Sequence, residues 1–205
     1  MSKVTKAHVD ARLASIRQAA MTMFVRKGVD AATMQEIASA AGLSAGAIYR
    51  YYPSKEALLR TVCAYCVEES RDLFQQASVA SATPWQGLIA LGRTVWERMK
   101  GEDAAASTIL DLEGTLASAR DPHGLGPARR EMRHALIDMM EAMVRKAQTA
   151  GEIDPSLDAR SVAVMLLSCT AGLGIYALEA GDRIDLDGVL TVLIELLRGY
   201  APKEV

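Results

Sequence analysis

Hydrophobic residues recur along most of the chain at spacings of three and four, which place them on one face of an α-helix. From Asp10 to Lys27, for example, Leu13, Ile16 and Ala20 fit this spacing, and Gly28 follows as a stop signal. Similar patterns predict a second helix at 34–41, a third beginning at 44, a long fourth beginning at 54, and others at 84–100, 104–119, 128–150, 159–178 and 186–198. The chain is therefore predicted to be all-α, with about nine helices.

Two short helices joined by a tight turn are predicted near the N-terminus. Thr33 and Glu36 have the spacing of a capping box, in which the Thr hydroxyl and the Glu carboxylate each satisfy a backbone amide of the other residue. Gly42 ends this helix, and Ser44 caps the next one after the single intervening Leu43. This arrangement is typical of a helix-turn-helix motif.

The composition supports a folded helical protein that works in a reducing compartment. The 205 residues are 50% hydrophobic and 23% charged, which excludes a disordered chain. Three cysteines do not make a disulfide framework, and Met1–Lys6 lacks the apolar stretch of a signal peptide, so we expect a cytoplasmic location. Val162–Leu178 carries no charge but contains two glycines and is shorter than the roughly 20 residues of a membrane span, so we expect a buried helix and no membrane association.

The charge of the chain is divided unevenly. Residues 1–60 contain nine Lys or Arg and four Asp or Glu, which leaves a net charge of +5. The other 145 residues carry a net charge of −7, so the total of −2 hides the difference. A basic N-terminal part is expected where that part alone meets a polyanion, although a charge of +5 over this length decides little by itself.

The predicted third helix and the start of the fourth carry a specific series of residues: Gly42-Leu43-Ser44-Ala45-Gly46-Ala47-Ile48-Tyr49-Arg50-Tyr51-Tyr52-Pro53-Ser54-Lys55-Glu56-Ala57-Leu58-Leu59. This series resembles the end of the DNA-binding domain in the TetR family of bacterial transcriptional repressors. The upstream positions that match the three-helix core of that family are Ile16, Ala20, Phe24, Gly28, Thr33, Ile37, Ala38 and Ala41. The resemblance implies a helix-turn-helix DNA-binding domain at 1–55 and a helical ligand-binding and dimerisation domain at 56–205.

The residues of this region also suit DNA binding by their chemistry. A helix that enters the major groove needs small or polar leading positions, and the series from Ser44 to Ala47 supplies them. Phenols, ammonium groups and helix N-termini bind phosphates, and a guanidinium binds either a phosphate or a guanine edge. The candidate DNA-binding residues are therefore Thr33, Ser44, Ala45, Gly46, Ala47, Tyr49, Arg50, Tyr51 and Lys55. We assign Tyr52 to the hydrophobic core. A place in the core is also the alternative to DNA contact for Tyr49.

The last two predicted helices, at 159–178 and 186–198, are too apolar to be exposed. One helix-turn-helix reads half a site, and a dimer must hold two of them ~34 Å apart, or a multiple of that, to occupy one face of DNA. We therefore expect a homodimer through these two helices, with Gly172 and Gly174 permitting close approach.

The resemblance implies a ligand-responsive regulator, in particular a repressor that binds a palindromic double-stranded operator and is released by a small-molecule effector. The resemblance also implies that the four helices from about Ser54 to Ala150 enclose the pocket for this effector, which we expect to be hydrophobic. The candidate ligand-binding residues are Tyr65, Cys66, Trp96, Met99, Met139, Met143, Met165 and Tyr176, each of which is also an ordinary core residue by type. Activation instead of repression uses the same chemistry and stays open.

Two alternatives to the regulator remain. The first is a helical small-molecule-binding protein or enzyme that keeps the DNA-binding head without using it. The second is a metal or redox sensor built on Cys63 and Cys66, but no second pair of ligands accompanies this Cys-x-x-Cys unit. The sequence contains no nucleophile motif, phosphate loop or metal signature, so no catalytic residue, cofactor or metal is predicted.

Overall fold

A computed structural model describes residues 6–101, 104–121, 123, 126–180 and 183–198. These residues form nine α-helices and no β-strand, which confirms the predicted all-α class. The helices are α1 (Lys6–Lys27), α2 (Met34–Ala40), α3 (Ala45–Ile48), α4 (Lys55–Val79), α5 (Pro84–Lys100), α6 (Ala104–Arg120), α7 (Gly126–Thr149), α8 (Ala159–Ala180) and α9 (Leu186–Arg198).

The predicted capping residues account for most of the helix starts. Thr83 caps α5 by accepting a hydrogen bond from the Gln86 amide, and Pro84 occupies the first helical position. Asp158 caps α8 by accepting from the Ser161 amide at 2.8 Å. The loop predicted at 121–127 is shorter than expected because α7 already begins at Gly126, and residues 122, 124 and 125 of that loop lie outside the described residues.

The chain divides into two compact units. The first consists of Met1–Cys66 and Ile109–Met132, and the second consists of Val67–Thr108 and Arg133–Val205. These units are defined by which residues pack together. The predicted boundary at 55/56 instead separates the expected DNA-binding residues from the expected ligand-binding ones. The first unit therefore contains the helix-turn-helix region together with the start of α4, the second half of α6 and the start of α7.

Each unit has its own hydrophobic core. In the first unit α1 packs on α2 and α2 on α3, and Phe24, Ile37 and Ile48 are fully buried. A hydrophobic cluster of the second unit joins α5, α7 and α8; its members include Leu91, Met143, Val144, Ala147, Ile153 and Ala163. Burial of this kind is the main stabilising force in both units.

The expectation that the apolar α8 is buried is wrong for the single chain. Only Ala159, Ala163 and Gly174 of this helix are buried, while bulky side chains such as Tyr176 are exposed. The helix is apolar on all sides, and its own chain covers one of them. Among the described residues α8 is also the one helix long and apolar enough to cross a membrane, with a mean hydropathy of 1.9.

The start of α2 is held by the predicted capping box. The Thr33 hydroxyl accepts from the Glu36 amide at 3.3 Å, and the Thr33 amide donates to a Glu36 carboxylate oxygen at 3.1 Å. Lys27, at the end of α1, forms an ion pair with the same carboxylate. The Lys27 contact, followed by the hydrogen bonds from Thr33, lowers the pKa of Glu36 to about 2.

This pKa predicts a pH dependence of stability that belongs to Glu36. Because its pKa is lowered from 4.5 on folding, the carboxylate stabilises the fold fully above that pH and loses this effect as the pH falls toward 2. Glu36→Gln should therefore lower the melting temperature near neutral pH, and the difference from the wild type should shrink in acid. Thermal unfolding of both proteins from pH 7 to about 3 measures this difference in melting temperature. Glu131→Gln, at an exposed position, is the matched control. A difference that stays constant over this range would contradict the assignment.

Candidate nucleic-acid interface

The predicted turn between α2 and α3 is present and depends on a glycine. Gly42 has a φ of +67°, a conformation that residues with a side chain rarely adopt. The turn closes when the Leu43 amide donates to the Ala38 carbonyl at 2.8 Å and the Gly42 amide donates to the Ser39 carbonyl at 3.1 Å. These bonds satisfy carbonyls at the end of α2 and direct the chain straight into α3.

Helix α3 has one buried face and one open face. Its cap Ser44 accepts a hydrogen bond from the Ala47 amide at 3.2 Å, and Ile48 anchors the helix in the core. Ala45 and Gly46 are exposed, and a side chain added at Gly46 would meet nothing of this chain within 4 Å. The intramolecular packing of α3 therefore gives no reason for a glycine at this position.

Three tyrosines and an arginine follow α3, and their side chains differ in exposure. Tyr52 is buried, as predicted for a core residue, and its burial raises the pKa of its phenol. Tyr49 is 51% exposed, Arg50 is exposed and Tyr51 is half-buried. A phenol and a guanidinium therefore border the small exposed face of α3.

Thr33 is exposed at the start of α2, where a helix N-terminus is available to an anion. Its hydroxyl already accepts from the Glu36 amide and donates to the Glu36 carboxylate at 3.0 Å. Any phosphate contact by this hydroxyl must therefore compete with the capping box.

Lys55 is placed differently from the other candidates. Its ammonium group donates to the carbonyls of Val29, Asp30 and Ala32 at 2.9, 2.8 and 3.2 Å. A lysine has three such donors, so the backbone before α2 engages all of them. The structure thus uses Lys55 to hold the 28–32 segment, which leads from α1 to α2, against the start of α4.

Two residues of α6 that sequence reasoning missed hold the same segment. The Val29 amide donates to the Glu113 carboxylate at 3.4 Å, and Arg120 pairs with Asp30 at 3.1 Å. These partners lie 84 and 90 residues apart in the chain, so no local pattern could have identified them.

Three of the predicted ligand-binding residues line three different cavities. Cys66 lines a cavity of about 30 Å³ in the first unit. In the second unit Met99 lines a groove of about 190 Å³, and Met143 lines another of about 200 Å³. The proposed set therefore stays a prediction.

The other five members of that set have varied surroundings. Tyr65 lies under the guanidinium of Arg17, 3.7 Å from the ring centroid. Trp96 is buried, and its indole N–H has no acceptor in the described part of the chain. Met139 is half-buried, whereas Met165 and Tyr176 are exposed on α8.

The Cys-x-x-Cys unit lies within α4. Cys63 is buried and Cys66 is half-buried, and neither forms a disulfide bond. Burial raises the pKa of the Cys63 thiol, which makes it less reactive than an exposed one. The described residues include no group of three or more His, Cys, Asp or Glu side chains that could hold a metal ion.

Comparison with known proteins identifies this region. Residues 16–62 match the family described as bacterial regulatory proteins, tetR family. Residues 16–62 are a TetR-family DNA-binding domain. The chain is therefore a helix-turn-helix transcriptional regulator, and the matched residues extend from α1 into α4.

Relatives of this chain match it over most of its length. It is 26% identical over 198 residues to the HTH-type transcriptional regulator YfiR of Bacillus subtilis, covering 91% of this chain and 90% of that protein. It is 24% identical over 171 residues to the HTH-type transcriptional repressor KstR2 of Rhodococcus jostii, covering 83% and 81%. Its fold is shared with AibR in a complex with isovaleryl coenzyme A and operator DNA, with a TM-score of 0.68, 19% identity and coverage of 94% and 100%.

The contacts of Lys55 predict a structural role that can be separated from DNA contact. Lys55→Met leaves three backbone carbonyls without their charged donor, so we expect the free energy of unfolding to fall by on the order of 2 kcal/mol. Urea denaturation measures this loss, and the exposed Lys146→Met should change stability by no more than about 0.5 kcal/mol. A Lys55→Met variant as stable as the wild type but with weaker DNA binding would instead indicate a phosphate contact.

Proposed function

We propose that this TetR-family regulator is a repressor that binds a palindromic operator as a homodimer and releases it when a small-molecule effector binds. The observation that supports this proposal most strongly is the exposed face of α3. Its small residues, Ala45 and Gly46, have no covering group from the first unit, while Ile48 fixes the opposite face in the core. A helix presented in this way suits the major groove, which is ~12 Å wide.

The groups around α3 suit different kinds of contact with DNA. Ala45 offers an apolar surface to a thymine methyl, and the Ser44 hydroxyl and Arg50 guanidinium offer donors to base edges or phosphates. The net charge of +5 over residues 1–60 supplies the sequence-independent attraction. Since few of these groups can read bases directly, DNA shape should contribute much of the sequence preference.

The exposed apolar side chains of α8 and α9 support a homodimer. Val164, Met165, Tyr176 and Leu178 of α8 are exposed in the single chain, and Val192 of α9 is 59% exposed. A soluble protein covers such a surface by association. A symmetric pair of these helices would also bring together the two helix-turn-helix motifs that a palindrome requires.

The relatives support the repressor and effector parts of the proposal. KstR2 is described as a transcriptional repressor, and AibR has been solved with both isovaleryl coenzyme A and operator DNA. An effector that binds preferentially to a form of the regulator with low DNA affinity would release the operator by shifting the population toward that form.

The DNA-binding proposal predicts that a substitution at Gly46 weakens DNA binding without lowering the stability of the fold. Because a Cβ at this position meets nothing of the chain, Gly46→Ala should fold at least as stably as the wild type. If the backbone of α3 approaches DNA closely, the added methyl should weaken binding by about tenfold or more. Gel-shift titration with the DNA that flanks the protein's own gene measures this, at two salt concentrations because phosphate contacts make affinity salt-dependent.

Gly92→Ala in α5 is the matched control, since a Cβ there also meets nothing within 4 Å. It should bind DNA as the wild type does. Equal affinity of the Gly46→Ala and wild-type proteins would remove α3 from the interface, and failure of the wild type to bind DNA even at low salt would refute the proposed function.

The dimer proposal predicts that a charge on α9 prevents association. Val192→Glu places a carboxylate on the exposed apolar face, where burial without a partner is costly, so we expect a monomer at micromolar concentration. Sedimentation velocity measures the change, and Val79→Glu, which alters an exposed valine at the end of α4, should leave the dimer intact. A wild-type protein that sediments as a stable monomer would contradict the proposal.

A further inference from the structure

A small cavity lies within the first unit, between α4, α6, α7 and the 28–32 segment. Its volume is about 30 Å³, enough for one or two water molecules. Arg129 is the one charged residue on its wall among the described residues. The remaining wall is largely apolar or thiol-bearing and includes Val29, Leu59, Val62, Cys63, Cys66 and Met132.

The guanidinium of Arg129 is only partly satisfied. Its side chain is 12% exposed, and its Nη2 group donates to the Asp111 carbonyl at 2.9 Å, to the Asp111 carboxylate and to the Thr115 hydroxyl at 3.3 Å. Nη1 reaches only the Met132 sulfur, at 3.6 Å. Nε is fully buried and has no acceptor among the described residues. Among the described residues, Nε and Nη1 of this largely buried side chain therefore have no oxygen acceptor, which is uncommon in a protein interior.

Two features show that the guanidinium of Arg129 is closely packed and lies near a desolvated thiol. A Cβ added at Gly114 of α6 would lie 3.4 Å from Cζ and Nε of Arg129, so the guanidinium rests directly against this helix. Burial raises the pKa of the Cys63 thiol even though the positive charge of Arg129 acts in the opposite direction. A hydrogen bond made to Arg129 in such a place is stronger than one made in water.

We propose that Arg129 binds the carboxylate of the effector and that the apolar wall of this cavity receives its hydrocarbon chain. The inference rests on the proposed function, since it names the effector of that regulator as an aliphatic carboxylate. A carboxylate offers planar acceptors that match the unpaired donors of a guanidinium.

The size of the cavity connects binding to the helix-turn-helix motif. Ligand pockets usually measure about 300–1,000 Å³, so an aliphatic carboxylate must push the walls apart before it fits. Val29 is one of those walls, and it belongs to the segment that leads into the capped start of α2. The ligand therefore binds a widened form in preference to the closed one, and release of the operator follows if the closed form is the one that binds DNA.

Calorimetric titration of the full chain with straight-chain carboxylates, from butyrate to decanoate, tests the site. We expect Kd to tighten about fourfold for each added methylene until the chain no longer fits. The matching primary alcohols should bind at least about tenfold more weakly because they lack the charge. Arg129→Met should abolish this preference for the carboxylate. A preference that survives in the variant, or absence of wild-type binding at millimolar carboxylate, would overturn the proposal.

Arg129→Met is expected to fold because Asp111 is 40% exposed, so water can replace the guanidinium around its carboxylate. A second measurement does not depend on any variant. Octanoate should slow the alkylation of Cys66 by iodoacetamide in the wild type, whereas Cys169 on α8, which lies in the second unit, should react at an unchanged rate. Equal alkylation of Cys66 with and without octanoate would contradict occupation of the cavity.

A DNA-binding assay distinguishes failure of the carboxylate site from failure of the proposed regulator function. Octanoate, and not octanol, should release the wild type from its operator, and the exposed Arg130→Met on the same helix should respond as the wild type does. A protein that binds DNA but ignores octanoate refutes the carboxylate site alone. A protein that binds octanoate but never DNA refutes the regulator while leaving the site in place.

Discussion

The ammonium of Lys55 on three backbone carbonyls is the interaction on which the DNA-binding region depends. The 28–32 segment is too short to form secondary structure of its own, and its carbonyls would otherwise have to find water or another donor. By engaging Val29, Asp30 and Ala32 together, Lys55 holds the segment between α1 and α2 against the start of α4. Glu113 and Arg120 of α6 add contacts to the same segment, so its position is set from two helices.

Local patterns in the sequence were sufficient for most of the fold and for part of the interface. The capping box of Thr33 and Glu36, the Gly42 turn and the Ser44 cap involve residues close together in the chain, and all three have the predicted geometry. The role of Lys55 could not be predicted in this way. An exposed lysine beside a DNA-binding helix suggests a phosphate contact, and only the fold brings the carbonyls 23–26 residues upstream within its reach.

Hydrophobicity alone does not specify what covers an apolar helix. The composition of α8 suits a core helix, a membrane span or an interface equally well, because each of these surroundings excludes water. The sequence led to a buried helix, and the structure instead leaves Val164, Met165 and Tyr176 exposed on it. The same uncertainty affects the predicted effector residues, since a methionine or tryptophan has the same chemistry in a packed core as in a pocket.

The carboxylate site proposed at Arg129 would impose a thermodynamic condition on regulation. Val29 belongs both to the wall of this cavity and to the segment that orients α2. A ligand that separates the walls and a DNA duplex that requires the closed arrangement therefore act on the same equilibrium with opposite preference. Such coupling is reciprocal, so operator DNA must weaken effector binding by the same factor as the effector weakens DNA binding. Under the proposed carboxylate site, a tighter cavity would hold the DNA-binding form more firmly but would demand more binding energy from the effector.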